Sequence, residues 1–306
     1  MFKKILFATT ASPVCDHAAK VAFDLELKWQ ARLIVFHVMG IPTHGFSPFV
    51  TDVRTGHPKQ VEPDYLGWVQ AEMRKTYGEL LEESDQVEIE AVVGVPHREI
   101  LRKARQEDVD LIVMGAHTRP EDVGASRYRS VVGSTMQKVA KAASCPVVII
   151  SRPCTTCWKL FSNIVVAVDF SRASEAAFLW AYKLAKEVDA SLHIFHAVDL
   201  PTSSAGLSRS QEEIEQAIAD ARARIETTLV PKLQGFPKYS VQVWEGRPHV
   251  EILKLARERQ ADLIVMAHHT REIDPEQALL GSTVEQVVLR SACPVASVNR
   301  LDKTGE

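Results

Sequence analysis

The sequence lacks a large excess of charge of either sign. Lys and Arg number 36 and Asp and Glu number 39, which leaves a net charge of −3. A protein that binds nucleic acid mainly through the phosphate backbone needs a basic surface. We therefore expect no nucleic-acid partner.

Cysteine and long apolar runs are also scarce. The five cysteines are too few, and odd in number, for a disulfide framework. No stretch approaches the roughly 18 uncharged apolar residues of a membrane-spanning helix. Residues 1–12 lack the long apolar segment and the cleavage site of a signal peptide. These absences predict a cytoplasmic protein with no membrane partner.

The sequence does contain a long internal repeat. Residues 94–101 (GVPHREIL) match residues 246–253 (GRPHVEIL) at six of eight positions, and 109–118 match 261–270 at seven of ten. Residues 133–147 match 281–295 at seven of fifteen. A period near 150 residues is too long for a solenoid, so each copy is a whole domain. We predict domains at 1–152 and 162–302, joined by a linker at 153–161.

Each copy alternates short apolar strands with amphipathic helices, which predicts a parallel sheet covered by helices on both faces. Ligands of such folds lie beyond the carboxyl ends of the strands, where the strand order reverses. The first and fourth strands flank that point. A helix over 62–83 is also predicted, with Tyr65, Trp68 and Tyr77 in the core.

The two copies differ at the end of the first strand. The first copy has Thr9 and Thr10, and the second has Val168 and Asp169. A carboxylate there is able to accept hydrogen bonds from a ribose hydroxyl or an exocyclic amine, or to cap the following helix. After the fourth strand, both copies have Gly-Ser-Thr before a helix, which suits a phosphate group as well as an ordinary helix cap.

Both halves resemble universal stress protein domains. The resemblance rests on IVVAVDFS, on FHV and FHAV, on G-x-P-H-x-E-I-L, on DLIVM-x-x-H, on GST-x-x-x-V and on CPV before the last strand. It implies two tandem doubly wound α/β domains, each with a five-stranded parallel sheet of order 3-2-1-4-5. It also implies pairing of the two domains within the chain, and homodimer formation is a further expectation.

Some members of that family bind ATP through Gly, two residues, Gly, nine residues and then Gly-Ser or Gly-Thr, together with an Asp after the first strand. The first copy keeps Gly115 but has Thr118 and Thr10 at the other positions. The second copy keeps Asp169 but has Ala267 and Thr270 in place of both loop glycines. Because β-branched Thr270 resists a positive φ, we expect only weak ATP binding, favoured in the second domain.

The resemblance gives candidate nucleotide-binding residues in both domains. In the second domain they are Ala167, Val168, Asp169, Val198, Met266, Ala267, His268, Thr270, Gly281, Ser282 and Thr283. In the first domain they are Thr10, Met114, Gly115, Gly133, Ser134 and Thr135. A bound triphosphate would bring Mg²⁺ with it.

Neither a protein metal site nor a catalytic site is predicted. The histidine pairs His37/His196, His97/His249 and His117/His269 recur near strand ends, and bonding to nearby backbone is the favoured interpretation. Cys145 and Cys293 are expected to be buried, whereas Cys154 and Cys157 form a linker pair that is open to a redox or metal role.

Two functions therefore stay open. One is a non-enzymatic, cytoplasmic stress-response protein regulated by weak adenine-nucleotide binding. The other is a scaffold or interaction protein that binds no nucleotide. A response to redox state or metal through Cys154 and Cys157 is a variant of either function. Slow ATP hydrolysis is a further alternative, although no catalytic residues accompany Asp169.

Overall fold

The computed structural model describes most of the chain, namely residues 1–10, 15–40, 49–51, 58–60, 65–84, 86–116, 134–152, 161–199, 210–267 and 282–298. These residues form two compact units. Unit 1 contains the described residues up to 152, and unit 2 contains those from 161 onwards.

Unit 1 alternates strands and helices along the chain. Its strands are β1 (Lys4–Thr9), β2 (Arg32–Met39), β3 (Phe49–Thr51), β4 (Pro58–Gln60), β5 (Val87–Val93), β6 (Leu111–Gly115) and β7 (Val147–Ile150). Its helices are α1 (Asp16–Trp29), α2 (Tyr65–Thr76), α3 (Gly78–Glu82), α4 (Pro96–Gln106) and α5 (Ser134–Ala142).

Within its described residues, unit 2 repeats this order of large strands and helices. Its strands are β8 (Asn163–Ala167), β9 (Ser191–Val198), β10 (Tyr239–Glu245), β11 (Leu263–Ala267) and β12 (Val295–Val298). Its helices are α6 (Arg172–Val188), α7 (Gln211–Thr228), α8 (Pro248–Glu258) and α9 (Ser282–Arg290), with a 3₁₀ turn at Val230–Leu233.

Each unit has a parallel five-stranded sheet. The strand order is β5-β2-β1-β6-β7 in unit 1 and β10-β9-β8-β11-β12 in unit 2, while β3 and β4 form a separate antiparallel pair. Within each unit this is the order 3-2-1-4-5, and it places the first and fourth large strands side by side. The parallel α/β fold predicted from the sequence is confirmed.

Continuous apolar strands explain why helices cover both faces of the sheets. Successive side chains of a strand point to opposite faces. Ile5, Leu6 and Phe7 of β1 are all fully buried, as are Ile164, Val165 and Val166 of β8. Such burial requires helices on both sides, as in other all-parallel sheets.

An aspartate anchors the first strand of each unit. Asp110 precedes β6 and accepts hydrogen bonds from the backbone N–H groups of Lys3 and Lys4, at 2.8 and 3.0 Å. Asp262 precedes β11 and accepts from the N–H groups of Ser162 and Asn163, at 2.5 and 3.1 Å. The carboxylate thus pairs backbone donors where the first strand begins, and both repeats use it.

The predicted helix over 62–83 differs from the structure. The described part is divided into α2 and α3, with Tyr77 between them. Tyr77 is buried, as predicted, but Trp68 is 49% exposed and stacks on Tyr65, which is half-buried. The prediction of a core position was therefore wrong for Trp68. Of α2, only Val69 and Met73 are buried, and the apolar Leu66 is exposed together with Trp68.

Candidate functional site

A pocket with a volume of about 80 Å³ lies at the carboxyl ends of β1 and β6 in unit 1. These two strands are neighbours in the sheet, with Ala8 opposite Met114. Of the residues predicted for unit 1, the structure brings Thr10, Met114, Gly115 and Thr135 together in the wall of this pocket. Its apolar lining includes Ala8, Phe36, Val38, Ile100 and Met136.

Hydrogen bonds organise the polar side of the pocket. The Thr9 hydroxyl lies 2.5 Å from the Tyr77 hydroxyl, and the Thr10 hydroxyl lies 3.2 Å from the Cys15 sulfur. Burial raises the pKa of Tyr77 well above its usual value, so its hydroxyl stays protonated. His37 places its Nδ1 atom 2.9 Å from the Thr9 carbonyl oxygen.

The same place in unit 2 carries an exposed carboxylate. Asp169 follows β8, and its Oδ1 atom accepts a hydrogen bond from the Ser171 N–H at 3.0 Å. The Ser174 hydroxyl in turn accepts from the Asp169 N–H at 3.0 Å. Ser171 is the N-cap of α6 and accepts from the Ser174 N–H at 3.1 Å. Asp169 is thus held at the entrance to α6 without capping that helix itself.

An aromatic cluster lies next to Asp169. Phe170 has a left-handed backbone with φ of 64°, which is unusual for a bulky residue. Its ring packs against His196, with 4.6 Å between ring centroids, and the Arg224 guanidinium lies 4.3 Å from the Phe170 centroid. The Nδ1 atom of His196 lies 2.7 Å from the Val168 carbonyl oxygen.

The other residues predicted for unit 2 are only partly described. Val168, Val198 and Met266 are buried, whereas Ala167 and Thr283 are half-buried. Met266 lies opposite Ala167 across neighbouring strands, so the ends of β8 and β11 are adjacent. Ser282 begins α9 as Ser134 begins α5, and Ser134 is exposed. Residues outside the described ranges are Gly133, His268, Thr270 and Gly281.

One pair of the recurring histidines, His37 and His196, has backbone partners in the structure. His37 and His196 bond equivalent carbonyl groups, which confirms the interpretation made for this pair. Burial lowers the pKa of His249, Arg290 and Arg247 lower it further, and Asp199 opposes them. His117 and His269 lie outside the described residues. Within the described ranges, no group of three His, Cys, Asp or Glu side chains is placed to hold a metal ion.

Cys145 and Cys293 are buried free thiols, as predicted. Burial raises the pKa of Cys293 to about 12, which keeps it protonated and unreactive. Cys154 and Cys157 lie outside the described residues.

Tyr77, Phe170 and Arg224 were not predicted as neighbours of a site. Tyr77 bonds Thr9 from a distant part of the sequence. Arg224 is also distant in sequence, and it contacts Phe170, which has a left-handed backbone. The available signal was the helical segment before the third large strand of each repeat. It contains Tyr77, between α2 and α3, in unit 1 and Arg224, in α7, in unit 2.

Known proteins support the assignment of both repeats. The model of the universal stress protein family matches residues 1–151 and again residues 160–299. The chain belongs to the universal stress protein family. It is 32% identical to a universal stress protein of Methanocaldococcus jannaschii over 153 residues, which are 47% of this chain and 85% of the relative.

Two further relatives extend this comparison. A second universal stress protein of Methanocaldococcus jannaschii is 30% identical over 161 residues, 46% of this chain and 96% of the relative. A crystal structure of a universal stress protein from Archaeoglobus fulgidus covers 98% of this chain and 97% of its own, with a TM-score of 0.69 and 23% identity. That structure supports the tandem fold over the whole chain.

None of the helices that the structure describes is long and apolar enough to cross a membrane.

Proposed function

We propose that this universal stress protein is a non-enzymatic regulator that responds to weak binding of an adenine nucleotide by unit 2. The observation that carries the proposal is the exposed, oriented carboxylate of Asp169 at the switch point of the unit 2 sheet. Ligands of doubly wound folds bind at that place.

The surroundings of Asp169 suit the ribose or base end of a nucleotide. One carboxylate oxygen is oriented by the Ser171 N–H, and the side chain is exposed, so a ligand donor is able to reach the carboxylate. A ribose hydroxyl or an adenine amino group supplies such a donor. Because the carboxylate is already oriented, binding loses little side-chain entropy.

The phosphate end would lie towards the start of α9. The ends of β8 and β11 are adjacent, and α9 is the helix that follows β11 in the chain. The first N–H groups of a helix attract anions, and half-buried Thr283 lies in that first turn. Mg²⁺ would arrive bound to the triphosphate.

Weak binding follows from Ala267 and Thr270. The loop after β11 has neither glycine of the family's ATP pattern. Side chains at these positions restrict the close approach of backbone to phosphate. We therefore expect a dissociation constant of about 0.1–1 mM, which corresponds to roughly 4–5.5 kcal/mol.

The test is isothermal titration of the full chain with ATP and Mg²⁺. Asp169→Ala is expected to weaken binding about tenfold or more, since a hydrogen bond to a charged group contributes roughly 1.5–3 kcal/mol. Thr10→Ala alters the equivalent position of unit 1 and should leave the affinity unchanged. Unchanged affinity of Asp169→Ala, with α6 still protected from hydrogen exchange, would contradict the proposal.

The absence of catalysis is tested on the same samples. We expect the titrated ATP to be recovered intact after the experiment. Turnover by clean protein that disappears in Asp169→Ala would instead support an ATPase. Cytoplasmic location, pairing of the two domains and homodimer formation stay predictions.

The scaffold function has one observation in its favour. On α2 of unit 1, Trp68 and Leu66 are 49% and 40% exposed, and Trp68 stacks on Tyr65. Exposed aromatic side chains are common anchors of protein interfaces. Trp68→Ala should weaken partner binding if this function holds, and leave ATP binding unchanged.

A further inference from the structure

We propose that the pocket of unit 1 binds an uncharged, largely apolar small molecule rather than a nucleotide. The pocket has a volume of about 80 Å³, and most of the surface that lines it is apolar. None of its described lining side chains carries a charge. This proposal does not depend on nucleotide binding by unit 2.

The pocket has a mainly apolar lining. Phe36 and Val38 of β2 and Ile100 of α4 line it together with Met114 and Met136. All five side chains are almost completely buried in the folded unit. A charged ligand group placed among them would lose its hydration with no opposite charge in return, which costs several kcal/mol. An apolar ligand body gains free energy from the same contacts.

The polar groups of the wall are engaged within the protein. The Thr9 hydroxyl bonds Tyr77, and the Thr10 hydroxyl contacts the Cys15 thiol. Thr9 is also 95% buried, so its hydroxyl has little room to reorient towards a ligand. These contacts offer a nucleotide no substitute for a carboxylate acceptor.

Thr10 occupies the position that Asp169 occupies in unit 2. The scaffold around it is otherwise similar, with Phe36 and Ile100 corresponding to Phe195 and Ile252. The change from carboxylate to hydroxyl therefore alters the ligand class and leaves the fold unaltered. At the other end of the pocket, Thr135 lies in the first turn of α5, where N–H groups favour a hydrogen-bond acceptor. The ligand class is thus a neutral apolar molecule. Any polar end that it carries is a hydrogen-bond acceptor and lies near Thr135.

The test uses the neutral fluorescent probe N-phenyl-1-naphthylamine with the full chain. We expect saturable binding with a rise in fluorescence. Thr135→Phe places a ring in the pocket and should weaken binding about tenfold or more, a change of roughly 1.4 kcal/mol. Its matched control is Thr283→Phe at the equivalent position of α9, which should bind the probe as the unmodified chain does.

A second variant guards against misfolding of Thr135→Phe. Thr10→Asp introduces the residue that unit 2 carries at the same place, and it should weaken probe binding about fivefold, because it puts a charge beside an apolar ligand. Saturating ATP and the Asp169→Ala change should both leave probe binding unchanged. Displacement of the probe by ATP, or unchanged binding in both pocket variants, would overturn the proposal, as would the absence of saturable binding.

Discussion

The two units differ most at the carboxyl end of the first strand. In unit 1 the strand ends in Thr9, whose hydroxyl is bonded to Tyr77, and Thr10 beside Cys15 lines a pocket whose described side chains carry no charge. In unit 2 the buried Val168 is followed by the exposed Asp169. One scaffold thus presents a hydroxyl in one copy and a carboxylate in the other.

Both units hold the end of the first strand by the same histidine hydrogen bond. His37 and His196 bond the carbonyl groups of Thr9 and Val168 at 2.9 and 2.7 Å. The residue after the first strand differs between the units, while the histidine bond to the strand-end carbonyl group is retained. Buried backbone groups need partners whatever the ligand is, which explains the retention.

The largest effect is expected from the aspartates that anchor the first strands. Asp262 is 2% exposed and accepts two backbone N–H groups, so Asp262→Ala leaves both donors without this partner. We expect unit 2 to lose about 3–4 kcal/mol of unfolding free energy. Hydrogen exchange of β8 and α6 peptides measures this loss separately from unit 1.

Asp110→Ala is the matched change in unit 1. Asp110 is half-buried, and its bond to Lys3 is exposed to water, so the expected loss is about 1–2 kcal/mol. An equal loss in the two variants would show that burial of the anchor does not distinguish the units.

Much of the fold follows from the sequence. The run LIVM occurs in both repeats, and its uninterrupted apolar character is typical of a central parallel strand. The break between α2 and α3 and the exposure of Trp68 were not predicted. The apolar residues of 62–83 recur at helical spacing, and only tertiary packing decides which of them are covered by the sheet.

The site was predictable in position but not in composition. Thr10, Gly115 and Thr135 meet in one pocket because strand ends and helix starts gather at one edge of the sheet. Tyr77 and Arg224 are far away in sequence from Thr9 and Phe170, the residues that they contact. Phe170 itself is placed by a left-handed backbone. Local pattern specifies none of these three contacts.

The next prediction concerns His193 of β9, at a position where unit 1 has an apolar residue. His193 replaces the buried Ile34 of unit 1. The Nδ1 atom of His193 lies 2.7 Å from the Ser240 hydroxyl oxygen, and the buried Nε2 atom has no hydrogen-bond partner within the described residues. Burial, with a smaller contribution from Arg259, lowers the pKa of His193 to about 4.

This lowered pKa makes unit 2 sensitive to acid. The unfolded chain takes up the proton near the ordinary pKa of 6.5, whereas the folded unit takes it up near 4. Stability is therefore complete above pH 6.5, falls by about 2–3 kcal/mol between pH 6.5 and 4, and falls no further from this group below pH 4. His193→Ile should remove that part of the pH dependence. Identical pH profiles of the two proteins in denaturant unfolding would contradict this account.

The smallest effect is expected at Phe170, where backbone strain and favourable ring contacts nearly cancel in the free energy of unfolding. Its left-handed backbone costs about 1 kcal/mol for a non-glycine residue. Its ring contacts with His196 and Arg224 stabilise the folded unit by about 1 kcal/mol. Phe170→Ala keeps the backbone cost and loses the contacts, whereas Phe170→Gly loses both.

We therefore expect Phe170→Ala to destabilise unit 2 by about 1 kcal/mol and Phe170→Gly to stay within about 0.5 kcal/mol of the unmodified chain. Denaturant unfolding of the two variants measures the difference. Equal stability of the Ala and Gly variants would show that the backbone at this strand end is relaxed. The ring contacts would then be a net gain that holds Phe170 beside Asp169 without opposing strain.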